Sequence, residues 1–160
     1  MGYLLLILFL IGIDQASKWW IVANFDPYQS VMIWNFIKIT YVQNTGVAFS
    51  LLDGAGYLSI IFVIILVIVA VILWKKPWAI RYHLPGALLI AGAVGNVIDR
   101  LTRGFVVDFI NFTYWPVFNV ADIFVCVGTA LFAILLLTDK NAMSSKKAEK
   151  TDKPKKGKKS

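Results

Sequence analysis

The sequence predicts an all-α polytopic membrane protein of four transmembrane helices, with a small β-rich segment on the outer face. Three observations carry this expectation. Hydrophobic residues make up 59% of the 160-residue chain, where a soluble domain has about half. The excess falls into four long runs, each of about 27–30 Å as a helix, which is enough to cross a hydrocarbon core. Lys and Arg are also spread unevenly between the connecting segments, as they are in polytopic membrane proteins.

The spans fall at residues 3–22, 57–74, 84–101 and 119–137, in a four-span unit over residues 1–138. The first run could pass for a signal peptide. It lacks a basic start and a small-residue cleavage site, and it contains Asp14 and Lys18, so it reads as a retained span. The second, "YLSIIFVIILVIVAVILW", carries no charge. The third, "LPGALLIAGAVGNVIDRL", ends in polar residues, and its Gly86, Gly92 and Gly95 would let other helices approach closely. Between the first two spans, residues 24–56 include "SVMIWNFIKITYVQN". This stretch is rich in β-branched and aromatic residues but broken by Asn35 and Lys38, so it predicts a pair of strands lying on the membrane. Tyr28, Trp34, Tyr41, Tyr114 and Trp115 suit an interfacial aromatic belt.

Orientation follows from the basic residues. Lys75, Lys76 and Arg81 lie between spans two and three. Nine lysines crowd residues 139–160, and the outer connectors hold only Lys38 and Arg103. By the positive-inside rule, both termini are cytoplasmic and residues 24–56 lie outside. The Lys-rich tail supplies most of the net charge of +7 and reads as a disordered segment near anionic lipid rather than a nucleic-acid reader.

This topology brings the polar residues of the spans to one depth near the outer surface. Asp14, Ser17 and Lys18 share a helical face, and so do Asn96, Asp99, Arg100 and Arg103. Asn119 and Asp122 lie in the first turn of span four, and Asn44 and Asp108 in the outer connectors. Asp14 with Lys18, or Asp99 with Arg103, can be a structural ion pair. Asn96 and Asn119 can be interhelical hydrogen-bonding groups. Ionisable residues inside a membrane nevertheless mark function by default.

The chemistry narrows by elimination. His83 is the only histidine and belongs to the opposite end of span three, which removes histidine triads and zinc sites of the HExxH kind. Cys126 lies one turn from Asp122 with no histidine base on its side, and it reads as a buried apolar residue. Carboxylates remain. Two held close together cannot both ionise cheaply, so one keeps a proton while the other activates water. No metal or cofactor is needed.

"DQASK" (Asp14 to Lys18), "NTGVAF" (Asn44 to Phe49), "GNVIDR" (Gly95 to Arg100), "VVDFI" (Val106 to Ile110) and "FNVAD" (Phe118 to Asp122) together resemble the ordered motifs of the bacterial lipoprotein signal peptidases, the signal peptidase II family. The resemblance implies an intramembrane aspartyl protease of the cytoplasmic membrane, active at its outer face. Such an enzyme removes signal peptides from prolipoproteins whose cysteine carries diacylglyceryl. It implies catalytic roles for Asp108 and Asp122, substrate-binding or support roles for Asn44, Gly46, Asn96, Asp99, Arg100 and Asn119, and a stabilising role for Asp14 and Lys18. It also implies an outer β-cradle and inhibition by globomycin, and the chain is expected to act as a monomer. The sequence departs from the family pattern at Val47, where alanine is usual, and in a short spacing from Asp108 to Asp122. The alternatives are a small proton-coupled transporter or channel subunit with Asp14, Asp99 and Asp122 as its relay, and a scaffold acting through its basic tail.

Overall fold

The computed structural model describes residues 2–46, 64–65, 67–68, 72 and 81–138. In chain order the elements are α1 (Gly2–Asn24), β1 (Ser30–Trp34), β2 (Ile37–Asn44), α2 (His83–Arg103), β3 (Val106–Phe112) and α3 (Val120–Thr138). The three helices, of 23, 21 and 19 residues, are long and apolar enough to cross a membrane. They match the predicted first, third and fourth spans to within two residues. Of the second, only Ile64, Ile65, Val67, Ile68 and Ile72 are described, all helical. The course of that span, Val47 and the tail 139–160 lie outside the described residues.

Helix α2 packs against both of the others. Its buried residues are mostly small (Gly86, Ala87, Ala91, Gly92, Gly95), with Pro85 and Leu89 among them, so backbones meet closely without large side chains between them. A Cβ on Gly95 would stand 2.5 Å from Asp14 Oδ2, on α1. A Cβ on Gly92 would collide with the Ala121 carbonyl and Val125, on α3. The tail-side ends of the helices also meet. Tyr3 packs edge-on against His83, and Tyr82 packs against Phe132, each with ring centroids 5.2 Å apart. The start of α1, the start of α2 and the later part of α3 therefore share one end of the bundle.

The sheet stands at the other end. Its order is β1-β2-β3, with both pairs antiparallel. The predicted pair of strands is present, and a third strand joins it from the connector before α3, so Asp108 sits on a strand rather than in a loop. After β3 the chain folds back on itself. Phe118 bridges Ile110, donating its N–H to the Ile110 carbonyl at 3.0 Å and accepting from the Phe109 and Ile110 N–H groups. This tight return sets Asn119 beside Asp108. Ile21, Tyr41, Val107 and Phe109 form a buried cluster between α1 and the sheet.

Two expectations are corrected. Tyr41 does not belong to the aromatic belt: it is 3% exposed, its ring packed in this cluster and its hydroxyl accepting from Gln43 at 3.1 Å. Tyr28, Trp34, Tyr114 and Trp115 are exposed as expected. Cys126 is exposed rather than buried. The inward stripe of α3 runs through Ala121, Gly128 and Phe132, and Cys126 falls outside it, on an exposed face.

Candidate active site

Strands β2 and β3, helix α2 and the start of α3 bring five of the predicted residues, Asn44, Asn96, Asp108, Asn119 and Asp122, together around one asparagine pair. Asn119 precedes α3 and caps it. Its Oδ1 accepts the Asp122 N–H at 3.0 Å, while Asp122 Oδ2 accepts the Asn119 N–H at 3.1 Å. This reciprocal capping box satisfies two backbone donors at the helix start. It also fixes the Asp122 carboxylate against the helix N-terminus, where negative charge is favoured.

Asn119 then reaches the other carboxylate. Its Nδ2 donates to Asp108 Oδ1 at 2.6 Å and to Asn96 Oδ1 at 3.1 Å. Asn96 Nδ2 donates in turn to Asp122 Oδ1 at 2.9 Å. The two aspartates thus hang from a common amide pair, one carried by β3 and one by α3. Asn44 Nδ2 donates to Asp108 Oδ2 at 2.8 Å, and Asn44 Oδ1 accepts the Gly46 N–H at 2.9 Å. Gly46 holds a positive φ of 81°, which glycine adopts without steric cost.

Asp108 is 3% exposed. Burial pushes its carboxyl up to about 6 from the ordinary 3.8, with the Asp122 charge adding to the rise. Hydrogen bonds from Asn44 and Asn119, and the Lys18 charge, act in the opposite direction. Asp108 is therefore prepared to carry a proton close to physiological pH.

Asp14, Lys18 and Asp99 are fully buried behind this pair. Lys18 Nζ lies 2.9 Å from Asp14 Oδ2 and 3.4 Å from Asp99 Oδ2, and it donates to Asn96 Oδ1 at 2.9 Å. Arg103 pairs with Asp99 Oδ1. Both ion pairs expected from spacing are formed, and they join into one group of two acids and two bases. Such a group has no net charge, which lowers the cost of its burial.

Arg100 is not drawn in. It is exposed, and its guanidinium turns back to the Asn96 carbonyl of its own helix at 3.4 Å. Ser17 bonds the Asp14 carbonyl of its own helix at 2.7 Å. Three participants were not anticipated. Gln15 Nε2 bridges Asp14 Oδ2 and the Gly95 carbonyl at 3.1 and 3.0 Å. The other two are the backbone N–H groups of Val107 and Ala121, which donate to Asp99 Oδ2 and Asp14 Oδ1, each at 2.9 Å. The signal for Gln15 was an amide side chain within an apolar run. Backbone donors leave no signal in sequence.

The family model described as signal peptidase (SPase) II matches residues 6–138. The chain belongs to the signal peptidase II family. Among curated relatives of this signal peptidase II chain, the lipoprotein signal peptidase of Lactococcus lactis subsp. lactis (strain IL1403) is 44% identical over 144 residues, covering 84% of this chain and 94% of that one. That of Shewanella amazonensis (strain ATCC BAA-1098 / SB2B) is 46% identical over 132 residues, covering 76% and 78%. A solved structure titled as a bacterial membrane enzyme at 1.9 Å resolution aligns with a TM-score of 0.74 at 33% identity, over 87% of this chain and 94% of that one. The match spans the described helices, the sheet and the polar cluster, so this signal peptidase II chain is a membrane-embedded peptidase.

Proposed function

We propose that this chain is an aspartyl endopeptidase that removes signal peptides from diacylglyceryl-modified prolipoproteins, with Asp108 and Asp122 as its catalytic pair. The observation that carries the reading is the pair itself: two carboxylates on separate elements, joined through Asn119 and Asn96, of which one is prepared to hold a proton. In this reading one carboxylate takes a proton from water as the water attacks the scissile carbonyl, and the protonated partner polarises that carbonyl. The proton then passes to the leaving amine. Asn44, Asn96 and Asn119 hold the carboxylates in place, and Gly46 fixes Asn44. Relatives named lipoprotein signal peptidase support the substrate class.

The finer placement follows the basic residues of the sequence. A fourth helix over residues 57–74 puts both termini in the cytoplasm and the site at the outer face of the bacterial cytoplasmic membrane. A substrate anchored by lipid beside its cleavage site would reach that depth by lateral diffusion. Cysteine accessibility tests this: an introduced Ser30→Cys should label from the outside of sealed cells, and labelling only from the cytoplasmic side would refute the placement. No observation favours the transporter reading, because Asp14, Lys18, Asp99, Arg103 and Asp122 all gather at one end of the bundle.

The purified protein should cleave a diacylglyceryl-modified precursor and leave the unmodified precursor intact. A chelator should not slow it, and alkylation of the exposed Cys126 should leave turnover within about twofold, because that residue lies off the packed face. Absence of cleavage in correctly folded protein, or its loss on alkylation, would overturn the reading.

A further inference from the structure

Each of the two buried acids behind the site holds a backbone N–H one residue before a member of the catalytic pair. Asp99 Oδ2 accepts the N–H of Val107, which precedes Asp108, and Asp14 Oδ1 accepts the N–H of Ala121, which precedes Asp122. The Ala121 donor belongs to the first helical turn, whose N–H groups have no partner within the helix. Among the described residues the cation that joins the two acids is Lys18, and the neutral Gln15 amide also spans them, at 3.1 and 3.4 Å.

We infer that Lys18 is a positioning residue for the proposed reaction: by tying Asp14 to Asp99 it sets the separation of the strand segment bearing Asp108 from the helix turn bearing Asp122. This inference rests on the aspartyl reading of the site. An ammonium suits the place. It has three donors, and three acceptors surround it: Asp14 Oδ2, Asp99 Oδ2 and Asn96 Oδ1. The third contact joins the clamp to the pair itself, since Asn96 also bonds Asp122 and Asn119. A guanidinium presents a rigid planar fork and cannot reproduce this tripod. Charge neutralisation alone, by contrast, would be served equally by either cation.

Lys18→Arg therefore separates the two roles, because it keeps the charge that insertion needs. With a diacylglyceryl-modified precursor and purified full-length protein, kcat should fall about a hundredfold, the scale of a displacement of about 1 Å at a catalytic group, while KM stays within about twofold. Amide hydrogen exchange at Val107 and Ala121 should accelerate together, with the Leu89 amide in the middle of α2 unchanged. Wild-type kcat in Lys18→Arg overturns the inference, and so does faster exchange at only one of the two amides. Should the variant fail to fold, the wild type supplies the test. Val107 and Ala121 should then open in one step, with a common dependence on denaturant, and two unrelated openings overturn the clamp. Asp108→Asn serves as the control for the reading beneath: turnover by that variant would remove the catalytic pair, while the exchange signature would still judge the clamp.

Discussion

Asp108→Asn should abolish cleavage and at the same time remove a pH dependence from the protein's stability. The two effects share a cause. An amide can neither accept a proton from water nor deliver one to the leaving amine, so turnover should drop below detection. The same amide carries no ionisable proton, so the titration of the buried carboxyl is lost together with the activity. Asp108 has its carboxyl raised from 3.8 to about 6, so the folded wild type holds its proton more tightly than the unfolded chain does. The stability contributed by this group is complete below about pH 4 and is lost as pH rises through about 6, with a limiting size of order 3 kcal/mol. The variant does not titrate there. Its melting temperature should lack the fall that the wild type shows between about pH 4 and pH 6, which thermal unfolding at several pH values will read. Asp122→Asn should also be inactive, and the double variant no worse than either, because the pair acts as a unit. Measurable turnover by either single variant would end the dyad mechanism and move attention to Asp99.

Gly92→Ala should cripple the enzyme without touching a polar residue. The added methyl would overlap the Ala121 carbonyl, and it would lie 2.8 Å from Val125 Cγ2 and 3.1 Å from the Val125 backbone nitrogen. Backbone atoms cannot rotate away, so α3 must shift from α2. Overpacking of this kind costs about 1–3 kcal/mol. The displaced residue is Ala121, whose N–H is held by Asp14 and whose neighbour is Asp122, so turnover should fall about a hundredfold in the protein that still folds. Gly12→Ala is the matched control, since a Cβ there meets nothing within 4 Å, and it should leave melting and turnover unchanged. Wild-type turnover in Gly92→Ala would show that helix separation does not govern the pair.

These expectations also mark what could be read from sequence and what could not. The ionisable residues were legible because charge inside an apolar run is conspicuous. Their common depth followed from helical spacing and the positions of lysine and arginine. Asp108, Asp122, Asn44, Asn96 and Asn119 were named as one group, and the structure joins them directly. Strand β3 was not legible as a strand. Its seven residues, "VVDFINF", are a short apolar run, which periodicity cannot assign. The misplacement of Cys126 has a different origin. A helix that is apolar all round gives no sign of its inward face. On α3 that face is marked instead by Ala121 and Gly128, where a Cβ on Gly128 would come 3.0 Å from the Pro85 carbonyl. Tyr41 was assigned to the belt by residue type, but its cross-strand position carried it into the core.

The capping box at the start of α3 bears on why residue 122 is an aspartate. A helix needs an acceptor three residues after its cap, and for that purpose alone Glu or Gln is the usual choice, because the longer side chain reaches back more easily. Here the shorter acid closes the box with Asn119 at 3.0 and 3.1 Å while its other oxygen stays within 2.9 Å of Asn96. Glutamate would keep the helix capped and carry the charge one carbon further from its backbone. Helix stability is thus indifferent, or even contrary, to the residue that is present. The constraint that remains is reach: the side chain is as long as the shared amide pair allows, and no longer.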